Sequence, residues 1–511
     1  MNGNLTKETL ELLGITKSAR AQSDDIIKAF VQPGTATSGV QAYNLQAPSL
    51  KLYPVLTPFR NMIPRVGGGY SIQANWKAFT GINTAGTRAS LQEGKRGGII
   101  STTQNEYLAA FKGLGIEQSL TFEAGYSAEG YEDLKSLSAI QALQSLMIAE
   151  ERIIIGGNAS GIALGTTGTP TLALGSNGSG SLTNATTYSV ICVALTLQAY
   201  LDVVGANNGA IGQTFVATAA TVPGQITRTN ADGTTTAINA GAGQKSANAT
   251  LLTTGANQSI LASVTAQAGA AGYAWFVGLA GAEKLAYVSS INSVIIYASP
   301  GSGQTAASLT AADYSQNSLD FDGLLAQALK SGSGAYNVQF ATGTAGVGTP
   351  LTSDGAGGIA EFNTAFDYFW NMYRLSPTRI FVSSQEQNNI SKKIIANGGV
   401  PLLREVISAD AQGQLRSGFN VTTVMNRAMN IDVPITVHPN MTPGTILFYT
   451  DSLPYPLAGV GSVARILTRQ DYYQIEWPVV TRQYNYGVYA DEVLQHYAPF
   501  SMGVISNIAN G

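Results

Sequence analysis

The chain has 511 residues, enough for two to four domains at roughly 100 to 200 residues each, and 44% of them are hydrophobic, a globular proportion. Charged residues make up only 12%, and 57 glycines with abundant Ala, Ser and Thr fill the gap, so the surface is expected to be neutral and polar or covered by other subunits. A net charge of −3 excludes a strong electrostatic drive toward nucleic acid, and a single cysteine excludes an intrachain disulfide.

The N-terminus, "MNGNLTKETLELLG", lacks a basic segment leading into an apolar one, and no run reaches the roughly 18 apolar residues that would span a bilayer. The expectation is a soluble, unexported protein of a reducing cytoplasm, without membrane contact. Two short helices are expected before Pro33, one ending at Gly14 and one capped by Ser23, as an arm that packs on something else. Pro48, Pro54, Pro58 and Pro64 then forbid a long helix and predict an extended strap over 47–66. Period-two runs at Tyr70–Phe79 and Thr102–Phe111 predict a hairpin arm around a Gly-rich charged tip, Thr84–Gly98. The tip carries Arg88, Glu93, Lys95 and Arg96, and an arm with no core of its own needs a neighbouring subunit to order it.

"EDLKSLSAIQALQSLMIAEERIIIGG" predicts one long helix of about 36 Å ending at Gly156-Gly157. Its expected core face is Leu134, Leu137, Ile140, Leu143 and Met147. Between 182 and 300 the only formal charges are Asp202, Arg228, Asp232, Lys245, Glu283 and Lys284, and short apolar runs alternate with turns. This predicts an inserted all-β sandwich of immunoglobulin-like type, with a hairpin turn at Asp232-Gly233. Tyr273, Trp275 and Val277 are its expected core by period two, Cys192 is expected to be a buried small hydrophobe, and Glu283 and Lys284 are expected to be solvated. Further on, a helix with Phe362, Phe366, Phe369 and Met372 on one face, a strand "RIFVS", and a helix opened by a Ser383/Glu386 capping box give an α/β unit. The last hundred residues are strand-rich.

Chemistry has little raw material. His438 and His496 are the only histidines, each without Cys partners, so neither a zinc site nor a Ser/His/Asp triad is expected. Glu150-Glu151 and Asp491-Glu492 are adjacent on one element and do not face a shared site as paired catalytic acids must. "GAGQKS", 241–246, lacks the glycines of a phosphate loop. No catalytic residue, cofactor or metal is expected.

The order of parts resembles the major capsid protein of tailed bacteriophages, an α+β fold of the Hong Kong 97 type. In order these parts are the N-terminal arm, strap "LKLYPVLTPFRNMIPRV", long hairpin, solitary helix ending in Gly-Gly, α/β segment, and the tail containing "EWPVVTRQYNYGVYADEVLQHYAPF". The resemblance implies an N-arm and strap over 1–65, the E-loop and P-domain strands over 66–130, and the spine helix and P-domain over 131–181. It further implies the insertion over 182–300, the A-domain over 301–440, and returning A/P-domain strands over 441–511. The implied function is non-enzymatic: hexamers and pentamers of this chain forming an icosahedral shell around phage double-stranded DNA. The implied location is the virion, with assembly in the host bacterial cytoplasm. Implied partners are other copies, a portal, and scaffolding or decoration proteins, with at most weak non-specific contact to packaged DNA. The short arm implies a separate scaffolding protein or none, and no isopeptide is expected from Lys77 or Lys95 because no acceptor is identified. The competing reading is a secreted or surface-layer β-rich adhesion protein, which the missing signal peptide disfavours.

Overall fold

A computed structural model describes residues 52–82, 88–129, 132–309, 311–396 and 420–510. The two helices expected before Pro33 and the start of the arm tip, 84–87, lie outside the described residues. The fold is mixed α+β, mostly sheet with few helices. Two compact units are distinguished: Met1–Pro54 with Leu120–Leu137, and Val55–Ser119 with Ser138–Gly511.

In chain order, the strap forms a short helix α1 (Pro58–Met62), with proline where a missing N–H costs nothing, and a strand β1 (Arg65–Val66). β2 (Gln73–Ile82) and β3 (Thr102–Ala110) pair antiparallel, Gln73 opposite Ala110 and Ile82 opposite Thr102, and make a sheet of their own. β4 (Lys112–Thr121) leads to helix α2 (Phe122–Ser127), where the Thr121 hydroxyl accepts from the Ala124 amide at 3.3 Å. Asp133 caps the next helix by accepting from the Lys135 and Ser136 amides at 3.1 and 3.3 Å. That helix, α3 (Leu134–Gly156), runs 23 residues uninterrupted by Gly or Pro.

The strand-rich middle follows as β5 (Thr171–Leu174), β6 (Thr187–Leu195), helix α4 (Leu197–Ala206) and β7 (Thr214–Val216). β8 (Gln225–Thr229) and β9 (Thr235–Asn239) turn at Asp232-Gly233, Gly233 taking φ 81°. β10 (Ala249–Leu252), β11 (Ile260–Ser263), β12 (Gly272–Gly278), β13 (Lys284–Ser289) and β14 (Ser293–Ile296) complete it. Then come α5 (Leu324–Leu329), β15 (Tyr336–Gln339), β16 (Thr349–Pro350), α6 (Ala360–Tyr373), β17 (Arg379–Val382) and α7 (Ser384–Ala396). The chain ends in β18 (Thr423–Asn426), β19 (Ile431–Val437), β20 (Ile446–Tyr449), β21 (Ala464–Glu476), β22 (Gln483–His496), β23 (Gly503–Ser506) and β24 (Ile508–Ala509).

Two sheets of the middle, β10-β6-β12-β13-β7 and β14-β11-β5, enclose a common core. Tyr273, Trp275 and Val277 lie in it, with Cys192 opposite Trp275 in the ladder and Ile260 and Val294 from the smaller sheet. The Trp275 indole donates to the Ser289 hydroxyl at 2.8 Å, so its one polar atom is satisfied. The other face of the larger sheet is also covered: Val193, Ala274, Phe276 and Val288 join Leu197, Tyr200 and Val203 of α4 in a second cluster that extends to Phe59, Ile154 and Tyr449. β12 is therefore buried at every position, which is why "GYAWFVG" reads as a continuous apolar run without polar alternation. β5 comes from before residue 182, so the smaller sheet draws on chain outside the expected insertion. Glu283, expected to be solvated, is buried, accepting from the Ser189 hydroxyl at 2.6 Å and the Gly281 amide at 3.2 Å.

The α/β segment forms the six-stranded sheet β15-β23-β20-β17-β19-β18. Ile446 and Phe448 of β20 face Phe362, Phe366 and Phe369 of α6, whereas Leu447 and Tyr449 face the cluster shared with α4. Met372, expected on the buried face of α6, is 62% exposed in the helix's last turn, one residue from its end. The Ser383 hydroxyl accepts from the Glu386 amide at 3.2 Å, which is half of the expected capping box. The Glu386 carboxylate turns inward to accept from the Gly444 amide at 2.9 Å, and burial pushes it up to about 7.

The long helix differs most from its expected packing. Its buried residues in the second unit are Ala142, Leu146, Glu150, Glu151, Ile154 and Ile155, with Gly156 at its end. Leu134, Leu137, Leu143 and Met147 are half-buried, and Ile140 is 44% exposed. Leu143 packs at the edge of the cluster made by Ala142, Leu146 and Val488. The covered stripe is rotated from the expected one because it runs through two carboxylates that the hydrophobic spacing ignores.

Candidate functional site

Two features of the second unit stand out: the free-standing hairpin and a buried charged junction at its root. In the hairpin, Trp76 sits opposite Tyr107 with rings stacked at 5.8 Å, and its indole donates to the His496 carbonyl at 3.1 Å, fixing the base. Lys77 and Glu106 pair across the strands at 3.8 Å, both more than half exposed, a contact worth at most about 1 kcal/mol. Further out the arm shows water a row of large apolar side chains, Phe79, Ile82, Leu91, Ile99 and Ile100, with Ile99 91% exposed, and Leu108 is exposed at the base opposite Asn75. Arg88, Glu93, Lys95 and Arg96 are all exposed at the tip, around a turn in which the Lys95 amide donates to the Gln92 carbonyl and Gly94 takes φ 74°. A two-stranded ribbon is marginal alone, and this one spends its apolar residues outward.

The junction is assembled from α1, β1, α3, β21 and β22. "AEER" places two carboxylates in the apolar end of α3, and adjacent helix positions point about 100° apart, so each meets different partners. Glu151 caps α1, accepting from the Phe59 and Arg60 amides at 2.8 and 2.7 Å, and also lies 2.7 Å from Nε2 of the buried His438. The Asn440 amide donates to His438 Nδ1 at 3.1 Å, so the ring carries its proton on Nε2 and donates it to Glu151. Glu150 accepts from the Arg65 guanidinium and the Tyr472 hydroxyl, with Arg60 at 3.7 Å.

Arg65 is the hub. Its second arm donates to Glu492 at 2.6 Å and to the more exposed Asp471 at 2.8 Å, and its guanidinium lies 4.4 Å from the Tyr472 ring centre. Burial alone would lower the Arg65 pKa, but Glu492 and Glu150 raise it by more, so it stays charged. Burial, with Glu150 beside it, pushes Glu492 up to about 8, and its Oε1 has no hydrogen-bond partner. Burial and Glu150 likewise raise the Tyr472 hydroxyl. His496, at the end of the same strand, is buried with neither ring nitrogen partnered, and burial pushes it down to about 3.

The expected site residues thus separate into three places: the tip charges on the exposed arm, Tyr273, Trp275 and Val277 together in the core, and the long-helix leucines along a partly covered face. The junction is absent from the sequence reading, since Arg65 meets Glu150 and Glu492 at separations of 85 and 427 residues. The available signal was "LMIAEERIII", where two acids in an apolar helix must be buried and paired.

Neither feature has the form of a catalytic centre. The junction carboxylates are engaged by protein donors, and no group of three or more His, Cys, Asp or Glu side chains among the described residues is placed to hold a metal ion. A cavity of about 260 Å³ bounded by Val193, Val222, Gln225, Gln304, Leu309 and Tyr314 contains no carboxylate or imidazole. Lys245 of "GAGQKS" is fixed on the Ala306 and Leu309 carbonyls, both at 2.8 Å. No described helix is long and apolar enough to cross a membrane.

No family model matches the chain, and no curated protein matches it. Among solved structures it is similar to the capsid of an empty GTA particle, with 8% identity over 92% of this chain and 96% of that one and a TM-score of 0.38. It is also similar to the capsid of the cyanophage P-SCSP1u, with 7% identity over 96% and 99% and a TM-score of 0.39. A third similarity is to the capsid of Myoviridae phage XM1, with 9% identity over 91% and 97% and a TM-score of 0.39.

Proposed function

We propose that the chain is a non-enzymatic major capsid protein of the Hong Kong 97 type, forming hexamers and pentamers that close into an icosahedral shell around phage double-stranded DNA. The observation that carries this reading is the hairpin arm. It leaves the body at Trp76, has no core of its own, and exposes Phe79, Ile82, Leu91, Ile99 and Ile100 among the described residues, an apolar row suited to being covered by another subunit. In this reading β2 and β3 are the E-loop and α3 is the spine helix. The sheet β1-β21-β22-β4 belongs to the P-domain, and the six-stranded sheet with α6 and α7 forms the A-domain. The two facing sheets of the middle segment support an immunoglobulin-like insertion over 182–300, buttressed from behind by α4. The chain then resides in the virion, meets a portal and scaffolding or decoration proteins, and touches packaged DNA only weakly, since its net charge is −3.

Deleting residues 85–97 should leave the subunit folded with an unchanged melting temperature, because the described tip residues 88–97 are all exposed, yet abolish or sharply reduce shell formation. Melting curves and electron microscopy of the deletion read the two effects separately. Normal shells from this variant would refute the role given to the arm.

A further inference from the structure

The strap Pro58–Val66 is held on the body by a charge arrangement with one proton too few or one carboxylate too many. Glu150 and Glu492 are both fully buried, and both bond to the single guanidinium of Arg65, which the strap supplies. Other charges face this pair: Arg60 from α1, Asp471 and the Tyr472 hydroxyl from β21, and Glu151, already saturated by two strap amides and His438. Asp491 points to the opposite face of β22, where it pairs with Arg469 at 2.9 Å, and His496 is held neutral by burial. With Glu492 ionised, its unpartnered Oε1 would be a buried anionic oxygen without a donor. The strap ends in Gly67 and Gly68, where an added side chain would meet nothing within 4 Å and Gly68 takes φ +99°, a hinge open to movement.

We infer that this junction is a proton-controlled latch: the strap is locked while Glu492 holds a proton, and it loosens when that proton leaves. Release of the strap carries Arg65 away and admits water to both carboxylates. The sign follows from linkage. Burial raises Glu492 in the locked form to about 8, and wetting returns it toward the ordinary value of 4.5, so the locked form binds the proton more tightly. The lock is therefore strongest below about pH 4.5, weakens as pH rises to about 8, and levels off above that. The latch belongs to the folded subunit and stands whether or not the chain builds a shell.

Hydrogen exchange of the full-length chain from about pH 5 to about pH 9, corrected for the intrinsic chemical rate, reads the strap directly in a peptide spanning 55–69. Protection there should fall by up to about tenfold per pH unit between about pH 5 and 8 and then level, while a peptide from β12 stays flat. Glu492→Gln, which cannot ionise, should remove the fall. Glu150→Gln leaves Arg65 to Glu492 alone and should move the fall to lower pH, and it decides the matter if the first variant does not fold. Strap protection that is constant or rises with pH overturns the latch. So does a fall shared equally by the β12 peptide, or one unchanged in both variants.

Discussion

Arg65→Ala is expected to destabilise the chain by about 3–5 kcal/mol at neutral pH, the cost typical of removing one partner from a buried ion pair and leaving its charge behind. Two buried carboxylates share this guanidinium, and nothing else within the junction reaches Glu492 with a donor. Arg65→Lys should recover only part of the loss, since an ammonium cannot serve Glu150 and Glu492 with the two arms of a planar fork. The loss should grow as pH rises through about 8, where Glu492 gives up its proton and its carboxylate comes to need the cation. Chemical denaturation at two pH values measures all three effects. A loss below about 1 kcal/mol at neutral pH would mean that the buried cluster does not depend on Arg65.

Leu146→Asp should prevent folding into a soluble chain, whereas Ile140→Asp should change stability by no more than about 0.5 kcal/mol. The two positions lie six residues apart on α3, yet Leu146 is buried against Ala142 and Val488 and Ile140 is 44% exposed. Burying a carboxylate at position 146, in a cluster built of apolar side chains, costs several kcal/mol. Expression yield and thermal melts distinguish the variants. A normally melting Leu146→Asp protein would contradict the packing described for the long helix.

The order of parts was readable because each part announces itself locally. Prolines bar a long helix from the strap, which allows only the short α1 beginning at Pro58, period-two runs separated by a glycine-rich tip make the hairpin, and a break-free stretch ending in Gly-Gly makes α3. Tyr273, Trp275 and Val277 were readable as core for the same reason, one strand face at period two. What local pattern does not carry is what lies on the other side of an element. Period two assigned one face of β12 to the core and said nothing of the other, which α4 covers by folding back over the larger sheet. The covered stripe of α3 was misplaced because helix spacing counts leucines, while its most deeply placed groups include Glu150 and Glu151. Those acids find Arg65, Glu492 and His438 only through tertiary contact, and a carboxylate whose partner is hundreds of residues away looks in sequence like a solvated charge. Glu283 misled in the same way, since its donor Ser189 lies 94 residues earlier.

The central claim is that this chain is a shell subunit whose arm is completed by other copies of itself. Electron microscopy of the purified full-length protein over a rising concentration series tests it most directly. Uniform polyhedral shells or separate capsomers are the result the arm and its exposed apolar row require, and a chain that remains a stable monomer at high concentration would contradict the account.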